Sequence, residues 1–413
     1  MHRRALVIGG SLGGLIAAHL LRSTGWDTAV FERNAEELAS RGVGLGTHAQ
    51  LIAILRRVGI VFDETMGIKV PKVVCLDRDG KVIAEQPTVR TMSGWARLYR
   101  ALRDPLPPDK YRLGKSLKRV EQDGGGVTAL FEDGTREHGN LLVGADGIRS
   151  TVRGQFLPTA QPQYAGYIAW RAVLDERDLP CEVSREIFEF YAFCLPEGEQ
   201  LLAYPVPGRD NDTQVGRRGY NIVWYRPTDV RKLADLSTDA TGRQHAAGIP
   251  PPLIRSEVIA RIKEDARALI APQIAEIFVR TRPFFQPIFD LESPQIVFDR
   301  VALLGDAAFV ARPHVGAGTT KAAIDAASLT DAIADGDLET GLARYQRVQQ
   351  PFGTEMVALG RQHGAYLGAW LKPEGERSTV ERERSVADML HAHDARSDQV
   401  REIVNAHGLS RHF

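Results

Sequence analysis

Residues Arg4 to Arg33 constrain this chain more than any other stretch. Ala5 to Ile8 are four apolar residues cut short by glycine, the pattern of a short buried strand. Gly9-Gly10-Ser11-Leu12-Gly13-Gly14 follows as a turn, and Leu15 to Leu21 recur at helical spacing. Thr28 to Phe31 make a second buried strand with Glu32 at its end. Strand, glycine turn, helix and strand in this order form the unit that a dinucleotide-binding fingerprint requires. Gly9 permits the tight bend, Ser11 is small enough for backbone to approach a pyrophosphate, and Gly14 lets helix and strand pack closely. The helix start offers N–H groups and the positive end of its dipole to phosphates. Glu32 stands 23 residues after Gly9, where it can accept from a ribose hydroxyl. Met1 to Arg4 before an apolar run also has the look of a secretory leader, but the glycine spacing and the strand ending at Glu32 argue against one.

A chain of 413 residues exceeds one ordinary core, so two domains are expected. Hydrophobic content of 43% and charged content of 25% are those of a soluble globular protein. The 52 basic and 52 acidic side chains cancel, so no global field draws nucleic acid or an anionic membrane. No apolar run is long enough to span a bilayer. Cys75, Cys181 and Cys194 have no metal-ligand spacing, so no metal is expected, and a sparse, odd count fits a reducing cytoplasm.

Further along, glycines alternate at 42, 44 and 46 between Ser40 and His48, which reads either as backbone lying close to a ligand or as a surface loop. Ala49 to Val58 follow as a helix. Lys72 to Glu85 predict a hairpin turning at Asp77–Gly80, and Leu117 to Gly134 a second one. An apolar strand then ends in Gly144-Ala145-Asp146-Gly147 and opens a helix carrying Arg149 and Arg153. From Tyr164 to about Pro287 the texture is β-rich and aromatic, with helical pattern only from Ser256 to Phe278. One aromatic sheet face suits the wall of a flat ligand, or is simply core. Val297 to Leu304 read as one buried strand ending in Gly305-Asp306, and Arg312 to Lys321 lead into a helix, a second anion-binding helix start. Beyond Gly341 the chain is helical and increasingly charged.

Three motifs now stand in order: GGSLGG with Glu32-Arg33, GADGIRSTVR, and LLGDAAFVARPHVGAGTTKAAIDA. Their order and spacing resemble the single-component, FAD-dependent aromatic hydroxylases of the para-hydroxybenzoate hydroxylase type, over roughly residues 4–350. Tyr164 to Arg171 and the pieces Arg312-Pro313-His314 and Ala317 to Lys321 look most like the hydroxypyridine hydroxylases among them. The resemblance implies an α/β protein: a Rossmann-like FAD-binding domain, a mixed or antiparallel-sheet substrate domain, and C-terminal helices. Residues 1–67, 93–163 and 288–370 would form the first, 68–92 and 164–287 the second, and 371–413 a polar helical arm.

By the same resemblance, Ser11 and Leu12 would meet the FAD pyrophosphate, Glu32 and Arg33 the adenosine end, and the Val120 main chain the adenine. Asp146 belongs to the motif tied to both FAD and NAD(P)H, Asp306 would hold the ribityl chain, and Gly316, Gly318, Thr319 and Thr320 would present N–H groups to the flavin edge. Trp95 stands where the family often has arginine, with Arg97 as a substitute, and Phe309 replaces a frequent histidine. The implied reaction uses NAD(P)H, which visits only transiently, and O2, through a C4a-hydroperoxyflavin that hydroxylates a small activated hydroxy-aromatic or hydroxypyridine. A base near the substrate hydroxyl is then required. His314 is the first choice, beside Pro313 in the predicted substrate loop, His48 the second, and Tyr191 or Tyr204 the third; each has a plain packing role as its alternative. Competing readings keep the flavin but change what it does, giving a reductase or oxygenase on a non-aromatic or polycyclic substrate, or a non-catalytic flavin sensor. NADH and NADPH are not distinguished, and a homodimer is compatible with everything above.

Overall fold

The computed structural model describes residues 3–38, 44–179, 183, 187–246, 248–334, 337–372, 375 and 385–413. The expectations placed on Ser40, Gly42 and Cys181 fall outside these residues. The opening unit forms as its spacing predicts: β1 (Arg4–Ile8), α1 (Leu12–Ser23) and β2 (Asp27–Phe31). Around it grows a six-stranded sheet in the order β16 (Val297–Phe298), β17 (Val301–Leu303), β10 (Leu141–Gly144), β1, β2 and β6 (Tyr111–Arg112). From β17 to β6 the strands run parallel. The turns after β1, β10 and β17 and Glu32 after β2 therefore leave one carboxyl edge, where open parallel sheets bind ligands.

One expectation needs correction here. Val297 to Leu304 are two strands, because Asp299 takes a φ of +53° and folds β16 back antiparallel onto β17. The second predicted hairpin likewise gains a strand. Leu117–Asp123 (β7), Gly126–Phe131 (β8) and Arg136–Gly139 (β9) form a meander, with Asp123 capping the N–H groups of Gly125 and Gly126 at its first turn.

The eight-stranded sheet is mixed, in the order β15 (Phe284–Asp290), β11 (Gln163–Asp175), β14 (Gly219–Pro227), β13 (Gln200–Val206), β12 (Tyr191–Cys194), β4 (Gly67–Leu76), β5 (Val82–Gly94) and β3 (Gly44–Gly46). Its pairs are antiparallel except β12 on β4. The hairpin expected at 72–85 is the tip of the long β4–β5 pair, and β3 joins this sheet although it lies within 1–67. Side chains alternate between faces. Ile168, Trp170, Ala172, Ile222 and Trp224 bury against one set of helices, while Tyr167, Ala169, Val223 and Tyr225 face the other way.

The helices in chain order after α1 are α2 (Ala49–Arg57), α3 (Trp95–Arg103), α4 (Thr151–Phe156), α5 (Val230–Leu236), α6 (Ser256–Leu269), α7 (Pro272–Arg280), α8 (Gly318–Ala334), α9 (Leu338–Ala369) and α10 (Val386–Ala406). Pro272 at the first helical position splits the predicted run 256–278 in two. Arg149 lies just before its expected helix, which starts at Thr151. The C-terminal α10 begins with a capping box, Ser385 and Asp388. It buries Met389 and Leu390 with the eight-stranded sheet, and Val400, Ile403 and Val404 with the first core. Among the described residues no helix is long and apolar enough to cross a membrane.

Candidate active site

Close packing sets the turn after β1. A Cβ on Gly14 would lie 2.0 Å from Gly9 O, and one on Gly9, whose φ is +110°, would lie 2.3 Å from Ala145 O. Only glycine serves at both. Gly10 N–H donates to Glu32 Oε2 at 2.9 Å, and Tyr111 Oη donates to Gly10 O at 3.0 Å. Glu32 Oε1 accepts from Asn34 N–H at 3.0 Å. Ser11 precedes α1 without a side-chain cap to it, and no acidic residue occupies the first turn. That leaves the positive helix end to a neighbouring cavity of 370 Å³, lined by Gly9, Ser11, Glu32, Arg33 and Asp146 among others.

Asp146 Oδ2 accepts from Thr151 N–H at 2.7 Å and Val152 N–H at 3.3 Å, whereas its buried Oδ1 has no partner. Burial pushes this carboxyl above the usual range, against its hydrogen bonds. Arg153, also buried, donates to Ile148 O at 2.5 Å and Ala307 O at 3.0 Å. It thereby stitches the turn after β10 to the turn after β17, which carries Asp306. The helices behind these turns cross closely, since a Cβ on Gly13 would stand 3.2 Å from Ala322 Cβ. Two helix starts, α1 and α8, thus share one edge of the sheet.

In front of α8 lies a cleft of 1110 Å³ between the two large sheets. It is lined by Asp306, Pro313, His314, Gly316, Gly318 and Thr319 from one side, and by Tyr191 and Tyr204 from the other. His48 reaches the same cleft, its Nδ1 3.0 Å from Thr320 Oγ1. Gly316 adopts a φ of +67° just before α8, whose first turn carries no acidic residue. His314 sits in the short turn Pro313–Val315, with Nε2 2.8 Å from Tyr167 Oη and its ring on Tyr225, centroids 4.4 Å apart. Gly364 in α9 leaves room for this pair, since a Cβ there would be 2.4 Å from Tyr167 Oη.

Tyr191 and Tyr204 stack at 5.0 Å, and Tyr204 donates to Gly44 O at 3.2 Å. Burial raises both phenols above their ordinary range. His48 behaves in the opposite sense, because burial, Arg90 and Arg396 lower it from 6.5 to about 4. The unfolded chain takes up this proton near 6.5 and the folded one only near 4, so stability is lost as pH falls through that window. The loss reaches about 3 kcal/mol. Melting curves from pH 7 to 4 are expected to fall less steeply for His48→Gln than for the parent, with a residual slope from His393, which is lowered for the same reasons.

Two of the expected residues have other partners. Val120 has both main-chain groups occupied by the Gln155 amide, at 2.8 Å each, and Lys115, Ser116 and Leu117 reach the cavity in its place. Arg97 donates to Thr65 Oγ1 at 2.7 Å and Asn211 O at 3.2 Å, so it ties together loops of the second sheet and stays away from the turn after β1. Leu12, Gly14 and Thr320 lie buried behind the cavities. Sequence reading missed Tyr167 and Arg171, which share a face of β11 by its period-two alternation. It also missed Arg90, Arg396 and the buried Lys321–Asp325 pair, although lysine four residues before aspartate on a helix is a readable spacing.

The segment 164–290 matches a family model described as FAD binding domain-like. The chain is 30% identical over 372 residues to 2,6-dihydroxypyridine 3-monooxygenase of Paenarthrobacter nicotinovorans, covering 87% of this chain and 92% of that one. It is 26% identical over 363 residues to 6-hydroxynicotinate 3-monooxygenase of Bordetella bronchiseptica, covering 83% and 86%. Among solved structures, 2,6-dihydroxypyridine-3-hydroxylase from Arthrobacter nicotinovorans superposes with a TM-score of 0.82 at 26% identity, covering 94% of this chain and 99% of that one. Klebsiella pneumoniae HpxO, complexed with FAD and uric acid, shares the fold at a TM-score of 0.71 and 20% identity, covering 98% and 96%.

Proposed function

Because this chain belongs to the FAD-dependent aromatic monooxygenases, we propose that it hydroxylates a small ring already bearing a hydroxyl, a hydroxypyridine or hydroxybenzoate, in the 1110 Å³ cleft. When bound, FAD supplies hydride acceptance from NAD(P)H and activation of dioxygen, one oxygen atom going to the ring and the other to water. The residues present fit that cofactor. The start of α1 with Ser11 would receive the pyrophosphate and Arg33 the adenosine end. Glu32 would accept from ribose through lone pairs its backbone donors leave over. Asp146, whose Oδ1 has no partner, would accept from a donor group of the cofactor or its reductant. Gly316 to Thr319 would hold the ring edge, and Asp306 the polyol between.

One observation carries the reading: the start of α8, the His314–Tyr167 pair and the tyrosine face of the second sheet open into one cleft. His314 is the proposed base. The hydrogen bond between its Nε2 and Tyr167 Oη, 2.8 Å apart, holds the imidazole in the cleft wall, where it would take a ring-hydroxyl proton. His48, with a pKa near 4, is too weak a base at neutral pH, and Tyr191 and Tyr204 stay protonated as hydrogen-bond donors. Arg396 and Ser397 of α10 complete the lining of the cleft. A polycyclic substrate is not favoured, because arginines and phenols crowd the lining. The domain boundaries are part of the same proposal, with the cleft between the two sheets as the active site. Buried free thiols at Cys75 and Cys194 support a cytoplasmic setting.

The test begins with purification and an absorbance spectrum for bound flavin. Hydroxypyridines and hydroxybenzoates are then screened for ring-stimulated NAD(P)H oxidation coupled to O2 uptake and a hydroxylated product. A colourless protein, or oxidation that no ring accelerates, would remove the proposal.

A further inference from the structure

The sheet wall of the cleft carries a charge that no protein group answers. Alternation along β11 buries Trp170 and Ala172 on the far face and turns Arg171 into the cleft. Its Nε is buried without a hydrogen-bond partner, and among the described residues no ion pair is formed by its guanidinium. Beside it on the same face, Asn221 of β14, which pairs with both β11 and β13, is 0% exposed and lies behind the cleft lining. The Tyr204 phenol stands next to the Asn221 amide but spends its proton on Gly44 O. A buried guanidinium N–H left in this way costs free energy until something bonds to it.

The rest of the lining strengthens the sign. Arg90 of β5 and Arg396 of α10 face the same cleft, and their donors go to neutral acceptors, His393 O at 2.7 Å and His314 O at 3.1 Å. Of the acids in the lining, Asp306 stands at the cofactor end, while Asp394 and Asp398 are exposed on α10 and Asp398 is paired with Arg401 at 2.9 Å. The inner pocket is thus cationic, walled by Tyr191, Tyr204 and Tyr225.

We propose that Arg171 is a specificity-determining residue that receives a planar anionic group, a carboxylate carried by the substrate ring. The proposal rests on the monooxygenase reading and decides between acidic and uncharged rings within it. A guanidinium fork matches a carboxylate with two parallel bonds, which neither a hydroxyl nor an amide can reproduce. Arg90 and Arg396 then contribute field, and α10 completes the pocket from a stretch remote in sequence.

The experiment uses the FAD-loaded protein and two matched probe pairs, 6-hydroxynicotinate with 6-hydroxynicotinamide and 4-hydroxybenzoate with 4-hydroxybenzamide. Dissociation constants are read from perturbation of the flavin spectrum. In at least one pair the acid is expected to bind about ten- to a hundredfold tighter than its amide. In Arg171→Gln that ratio falls towards one, with flavin content as the control for folding. Should that variant lose its flavin, Arg171→Lys is read instead, and its ratio is expected several-fold below the parent's because the fork is gone. Equal binding of acid and amide, failure of both acids to bind, or a ratio that survives the substitution overturns the assignment. If an uncharged ring is nevertheless hydroxylated with NAD(P)H and O2, the monooxygenase reading stands without it.

Discussion

Replacing His314 with glutamine lowers turnover by about 10²–10⁴-fold while the protein keeps its FAD. Glutamine fills nearly the same volume and can still meet Tyr167 Oη, so packing on Tyr225 changes little. What disappears is a group able to take a proton. A neutral ring hydroxyl is a poor electron donor and its conjugate anion a good one, so the loss falls on kcat more than on ring binding. The pH profile separates this from a structural role. The parent's kcat rises with pH as its base sheds a proton, and in His314→Gln that rise is gone. Tyr167→Phe keeps the aromatic contact but removes the hydrogen bond that orients the imidazole. It is expected to cost about tenfold in kcat and to move the acidic limb. A glutamine variant with the parent's pH profile, however slow, would return His314 to the role of a packing residue.

The parts of this protein that were legible in sequence are those whose physics is local. The bend at Gly9 announces itself because only glycine tolerates the approach of Ala145, and that demand leaves a spacing behind. The same holds for the turn after β17, where Gly305 is followed by Asp306 and then by a helix start. Pairings between distant segments leave no such trace. Nothing near Tyr191 indicates that its strand runs parallel to β4, more than a hundred residues earlier. Arg97 had the right charge close to the expected place, but its partners at Thr65 and Asn211 are set by tertiary packing. The 371–413 arm was illegible for a further reason. Its helix is polar nearly all round, and its few apolar residues divide between two cores, so no single stripe marks a buried face.

Asp325→Ala is expected to destabilise the protein by about 3–5 kcal/mol, the cost of leaving a buried lysine without its counter-ion. Lys321 and Asp325 are 1% and 2% exposed and sit one turn apart on α8, with Nζ 2.7 Å from Oδ2. They also clamp a single residue of the turn after β17: Gly305 N–H donates to Asp325 Oδ2 at 2.8 Å, and Lys321 Nζ donates to Gly305 O at 3.1 Å. Gln349 from α9 satisfies the other carboxylate oxygen at 2.8 Å. The pair therefore fixes the residue next to Asp306, and its loss should loosen cofactor retention as well as the fold. The double variant Lys321→Met with Asp325→Leu distinguishes these effects. Apolar replacement of a buried ion pair is often close to neutral, so most of the stability should return in a urea titration. Gly305 C=O keeps the N–H groups of Ala308 and Phe309, but Gly305 N–H remains unanswered in that variant, so flavin content on purification should stay low. Recovery of both would mean that the pair serves only the helix packing. Recovery of stability alone would place Gly305 as the point where the core of the first sheet is coupled to the cofactor's polyol.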